Sequence, residues 1–179
     1  DVDDFARALV LDQEGNLVVT GSSATVKYSA TSGAQLWVAG SSGNANAVAL
    51  AANGDVVIAG GSTNYETRKY SGINGALLWS KSYNGPGNST DVAYAIALDD
   101  NGDVFVTGSS RGDGTAGDFA TLKYSGTNGA TLWSGDAILN GAVRYSGPSN
   151  ANDVAQALRL EAKGDVVVTS GLGGIFPEG

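Results

Sequence analysis

Cysteine, histidine and methionine are all absent from the 179 residues, and only three prolines occur. Without thiol or imidazole, zinc, haem, iron–sulfur and copper centres lose their usual ligands. Nucleophilic catalysis by Cys, or by Ser through a His base, is excluded with them, as is a disulfide framework. No cofactor and no metal is therefore expected. Charge is sparse too: 16% of residues are Asp, Glu, Lys or Arg, against roughly 25% in an average soluble protein. The 18 acids and 10 bases leave a formal charge of −8. That balance repels phosphate backbones and anionic lipid, so neither nucleic acid nor a membrane surface is the expected partner. No apolar run approaches the roughly 18 residues of a spanning helix, and no signal segment is visible, so no direct membrane insertion is expected. The first residue is Asp1 rather than methionine, which suggests a processing event or a chosen boundary, with any export signal outside these residues.

What is present is repetition. Asp91-Val92-Ala93-Tyr94-Ala95-Ile96-Ala97-Leu98-Asp99, then Asn101-Gly102-Asp103-Val104-Phe105-Val106-Thr107-Gly108, has counterparts beginning near Asp4, Asn46 and Asp153. A second module follows the first three copies: Lys27-Tyr28-Ser29 to Leu36-Trp37, Lys69-Tyr70-Ser71 to Leu78-Trp79, and Lys123-Tyr124-Ser125 to Leu132-Trp133. The turn glycines Gly15, Gly54, Gly102 and Gly164 fix the phase. The length suits one domain, and the repeats fall at about 4–40, 45–83, 91–136 and 153–179 within a single domain over 1–179.

Each repeat reads as four short strands. The run from Ala93 to Leu98 alternates small and large residues at period two. Asn101-Gly102-Asp103 supplies the positive-φ position of a tight hairpin. Val104-Phe105-Val106-Thr107 is β-branched and aromatic; Thr121 to Tyr124 forms a third strand and Thr131-Leu132-Trp133 a short fourth. The fold class expected is all-β: β-propeller blades of four antiparallel strands, three and a half of them, an incomplete or open ring.

These lines resemble the bacterial SBBP beta-propeller repeat, with Asp91 to Trp133 as the best copy. The resemblance implies a propeller that is extracellular, at the cell surface or periplasmic, usually within a longer chain, and it implies no reaction. The segments Ser32 to Trp37, Asn74 to Trp79 and Asn128 to Trp133 are similar to the docking motif of quinoprotein propellers. A Trp that recurs in step with the blade points to packing between blades rather than to a bound quinone.

The remaining candidates are weighed against hairpin chemistry. Asp99-Asp100-Asn101-Gly102-Asp103 has the start of a calcium loop, but position 110 is Ser110 where the bidentate Glu belongs, so a turn is expected. Lys27, Lys69 and Lys123 recur at blade spacing and are expected to be structural. Carboxylates for glycoside chemistry would come from Asp3, Asp4, Asp91, Asp113 and Asp118. Arg111-Gly112-Asp113 spells an adhesion tripeptide, and Asn88-Ser89-Thr90 a glycosylation sequon. Loop length varies most near Ser80 to Asn88, Arg111 to Gly117, and in an insert between Trp133 and Asp153. Loops on repeat scaffolds carry recognition, so Tyr83, Asn84, Arg111, Asp113, Arg144 and Tyr145 are the candidate interaction residues. The leading expectation is a non-catalytic extracellular scaffold or accessory subunit that contacts a protein partner, a larger assembly or the remainder of a longer chain. The alternative is a polysaccharide-binding or polysaccharide-degrading propeller that uses loop carboxylates and tyrosines.

Overall fold

The computed structural model describes residues 4–40, 43–114, 116–133, 141–147 and 151–170. All regular structure there is strand. The first sheet holds β1 (Ala6–Leu11), β2 (Leu17–Gly21), β3 (Ala24–Tyr28) and β4 (Gln35–Gly40) in sequence order. The second holds β5 (Ala45–Leu50), β6 (Val56–Gly61), β7 (Tyr65–Tyr70) and β8 (Leu77–Tyr83). The third holds β9 (Asp91–Leu98), β10 (Val104–Arg111), β11 (Gly117–Tyr124) and β12 (Val143–Tyr145), and β13 (Ala155–Leu160) pairs with β14 (Val166–Ser170) alone. All pairings are antiparallel. The first strands β1, β5, β9 and β13 lie against one another in turn. Three complete blades and the inner half of a fourth therefore form an open arc, as expected.

The outer edge of the third blade differs from expectation. Thr131-Leu132-Trp133 does not form the fourth strand; only Thr131 bridges to Tyr124, with Leu132 N–H donating to the Lys123 carbonyl. The ladder is completed by β12, which pairs Tyr145 with Phe119 and Val143 with Thr121. Twelve positions separate Trp133 from Tyr145, where four separate Trp79 from Tyr83. The outer edge of this sheet is thus built from Thr131 and from Val143 to Tyr145, and it runs on to Tyr145, past the expected limit near 136. Ile138, Leu139 and Pro148 of the insert, Asp3, and the tail 171–179 of the fourth repeat lie outside the described residues.

Apolar residues on facing sheets fill the spaces between blades. Val18, Trp37 and Ala39 of the first blade bury against Val56, Ile58 and Tyr70 of the second. Val57, Tyr65 and Trp79 bury against Val104, Leu122 and Tyr124 of the third. The innermost pair of each sheet carries a register shift at the same place, between Ala6 and Ala8, Ala45 and Ala47, Ala93 and Ala95, and Ala155 and Ala157. The Ala-x-Ala signature is thus a β-bulge, a device that re-aims the residue between the alanines. The bulge brings its own chain close to the facing strand: a Cβ on Gly108 would stand 2.1 Å from the Val92 carbonyl oxygen. Close approach, not left-handed backbone, accounts for the glycine that ends each Thr-Gly-Ser run.

Candidate functional site

The two ends of the arc differ in character. At one end lie the hairpins that join first to second and third to fourth strands, and this end repeats the same contacts. Lys27 pairs with Asp12 at 2.7 Å, Lys69 with Asp55 at 3.1 Å, and Lys123 with Asp99 and Asp103 at 3.1 and 3.2 Å. The second repeat has Ala51 where the first has Asp12, and its lysine takes the acid from the far side of the hairpin instead. Burial works to raise the Asp12 pKa, but hydrogen bonds from Lys27 and Asn16, with the Lys27 charge, outweigh it and bring it to about 2. Asp55 and Asp99 are lowered by the same balance, with hydrogen bonds and the paired lysine overcoming burial.

Each of the first two lysines also reaches the following blade. Lys27 Nζ and Trp37 Nε1 both donate to the Gly72 carbonyl, at 3.0 and 3.1 Å. Lys69 Nζ and Trp79 Nε1 both donate to the Gly126 carbonyl, at 2.9 and 3.3 Å. The lysines and tryptophans are therefore inter-blade connectors. Asp99 Oδ1 accepts from the N–H groups of Asn101 and Asp103, so that acidic stretch is the hairpin turn expected. Among the described residues, no group of three or more acids has metal-binding geometry.

All six candidate interaction residues lie at the opposite end, which also carries the loops between blades. Two of them meet: Arg144 Nη1 donates to Tyr83 Oη at 3.2 Å. Arg144 further donates to Ser110 Oγ (2.6 Å), the Ser110 carbonyl (2.7 Å) and Asp118 Oδ2 (2.8 Å). Burial acts against the guanidinium charge, and the bonds to Asp118 and Tyr83 more than restore it, so its pKa is raised. Tyr83 is 3% exposed and edge-on to Tyr65 at 5.3 Å. Tyr83 and Arg144, expected in loops, lie instead in β8 and β12, where together they clasp the second blade to the third. Asn84 donates to Asn88 Oδ1 at 2.7 Å, closing the same loop. Arg111, Asp113 and Tyr145 are exposed, and the Tyr145 ring stands 5.7 Å from Phe119.

The carboxylates proposed for glycoside chemistry are largely committed. Asp91, fully buried, accepts from Gly85 N–H at 2.7 Å and Arg111 N–H at 3.1 Å. Asp118 holds Arg144, and Asp4 accepts from Ser23. Asp113 is open to solvent.

Sequence reasoning missed the clamp role of Asp91, although a signal for it exists. Tyr83-Asn84-Gly85-Pro86-Gly87-Asn88-Ser89-Thr90-Asp91 recurs as Tyr145-Ser146-Gly147-Pro148-Ser149-Asn150-Ala151-Asn152-Asp153. Asp153 Oδ2 accepts from Gly147 N–H at 2.5 Å, as Asp91 Oδ2 does from Gly85. The backbone N–H of each aspartate donates to a loop of the preceding blade, Asp91 to Thr63 and Asp153 to Gly117. Tyr145 is therefore the counterpart of Tyr83. Its 50% exposure reflects the lack, among the described residues, of a following outer strand to roof it as Arg144 roofs Tyr83. A second missed feature is the row of bulge residues on the inner strands, where Arg7 Nη1 donates to Asn46 Oδ1 (3.2 Å) and Asn46 Nδ2 to the Ala93 carbonyl (2.9 Å).

Residues 78–114, from the outer strand of the second blade through the Asp91 clamp to the tip of β10, match the family model of the SBBP beta-propeller repeat. The chain carries an SBBP repeat. The arc is similar in structure to BamB from Moraxella catarrhalis, with TM-score 0.63 and 18% identity over 92% of this chain and 47% of that one. It is also similar to the WD40 repeats of RRP9, with TM-score 0.61 and 10% identity over 94% of this chain and 52% of that one. A computationally designed protein, Ika4, superposes with TM-score 0.58 and 15% identity over 95% and 93% of the two chains. The chain thus spans about half the length of the first two. No curated protein matches it in sequence.

Proposed function

We propose that the chain is a non-catalytic scaffold or accessory subunit that contacts other proteins through the loop end of its blades, outside the cytoplasm. The observation that carries this reading is the division of labour between the two ends. One end spends its charges on contacts that repeat from blade to blade. The other presents Arg111 and Tyr145, at the tips of β10 and β12, and Asp113 in the turn after β10, beside the Asp91 clamp and the Arg144 clasp. Exposed arginine and tyrosine side chains are the types enriched where proteins recognise one another. The similarity to an extracellular domain, that of the putative one-component system BT4673 (TM-score 0.55, 13% identity over 92% of this chain and 20% of that one), agrees with an extracytoplasmic setting. The commitment of Asp91 and Asp118 to internal bonds weighs against paired carboxylates for polysaccharide cleavage.

Native mass spectrometry of the chain purified from its source tests the proposal. A stoichiometric protein partner, lost in the Arg111→Ala/Tyr145→Ala variant while the far-ultraviolet spectrum is unchanged, is the expected result. Hydrolysis of a polysaccharide by the chain alone would overturn it.

A further inference from the structure

The arc ends in two unlike faces that complement each other. Aligned on Gly15, Gly54 and Gly102, the first-blade residues Leu9, Leu11, Leu17 and Val19 correspond to Val48, Leu50, Val56 and Ile58 of the second blade. In the second blade those positions pack against the first. In the first blade the same face is open, with Leu9 66% exposed. The half-blade shows the opposite case. Arg159, Val167 and Thr169 correspond to Val10, Val18 and Thr20, the side that the first blade turns towards the second. Val18 is fully buried there, whereas Val167 is 44% exposed and lines a groove of about 620 Å³ with Ala157, Arg159 and Thr169.

From these faces we infer that a second copy of the chain closes the arc. The half-blade of each copy receives the first blade of the other, in the way that β1 and β2 receive β5. Charge fits this occupant. Val10 and Asn53 line the cleft of about 700 Å³ between the first two blades, and their counterparts at the new contact are Arg159 of one copy and Glu14 of the other. The count of blades fits as well. Three four-stranded sheets and one two-stranded sheet per copy make seven blades in two, within the usual four to eight. The contact is heterologous, and two such contacts related by a two-fold axis close without leaving a free face.

The test is sedimentation of the 179-residue chain at micromolar concentration. Wild type is expected at twice the 17.9 kDa of one chain. Leu9→Glu and Val167→Glu should each sediment as monomers with unchanged strand spectra, since both positions are exposed within one copy. An equimolar mixture of the two variants should regain one of the two contacts, between the intact half-blade of the Leu9→Glu chain and the intact first blade of the Val167→Glu chain, and so form a dimer weaker than that of the wild type. Wild type that stays at one chain's mass overturns the inference. So does a Val167→Glu protein that remains dimeric, as a first-blade-to-first-blade contact would allow. A mass that climbs with concentration without a plateau overturns closure.

Discussion

The indole N–H of Trp79 on the second blade donates to the carbonyl of Gly126 on the third, and its ring lies over the next turn glycine, Gly129. A Cβ on Gly129 would stand 3.0 Å from Trp79 Cδ2. Trp79→Ala removes both the packing and the bond and should cost about 3–5 kcal/mol in urea unfolding. A loss below about 1 kcal/mol would show the ring to be dispensable.

The glycine side of that contact gives a matched pair of variants. Gly33 and Gly129 occupy equivalent turns with φ of +68° and +71°, yet nothing lies within 4 Å of a Cβ placed on Gly33. Gly33→Ala should show the backbone cost alone, about 1 kcal/mol, and Gly129→Ala distinctly more. Equal losses from thermal or chemical unfolding would mean that the tryptophan does not press on its turn.

Thr20 and Thr25 share a buried hydroxyl bond of 2.8 Å, as do Thr107 and Thr121. In the second blade Thr67 faces Ala59 across the same ladder position, and its hydroxyl is buried without a hydrogen-bond partner. Thr67→Val should therefore be neutral or stabilising, while Thr20→Val should cost about 1 kcal/mol. The ordering of the two unfolding midpoints checks this.

Arg144→Ala leaves Asp118, Ser110 and Tyr83 facing a vacated site and should cost about 3–5 kcal/mol, as removal of one partner from a buried pair does. Arg144→Lys keeps the charge but loses the fork that spans Ser110 and Asp118, so it should recover only part of the stability. Full recovery in chemical denaturation would reduce the clasp to simple charge pairing.

Asp12, Asp55 and Asp99 all have pKa values below the ordinary 3.8. A depressed carboxylate stabilises the fold fully above its unfolded value and loses that contribution as pH falls through its folded value. Stability should hold above pH 5, decline below about pH 4, and go on falling towards pH 2, where Asp12 takes up its proton. Asp12→Asn should flatten the lowest part of that profile in unfolding measured against pH.

Hairpins, strand runs and the module from Lys27 to Trp37, Lys69 to Trp79 and Lys123 to Trp133 were legible because each is confined to a short stretch of sequence. The split outer strand was not. Thr131-Leu132-Trp133 copies the local pattern of Leu77-Leu78-Trp79, and only the ladder shows that Val143 to Tyr145 completes the sheet. Arg144 looked like a loop residue for the same reason: its partners Tyr83, Ser110 and Asp118 are 61, 34 and 26 positions away. The Asp91 clamp was legible in principle, since its Tyr-x-Gly-Pro-x-Asn-x-x-Asp line occurs twice.

The carbonyl of Gly72, and again that of Gly126, takes a Lys and a Trp donor from the preceding blade, so the two junctions between complete blades share one standard joint. A unit gained or lost by duplication in the gene would keep this part of the joint, while the Tyr83–Arg144 clasp, present only between the second and third blades among the described residues, would have to be supplied anew. Copying of a blade thus carries its half of the joint with it, and variation among such chains is expected in steps of one blade.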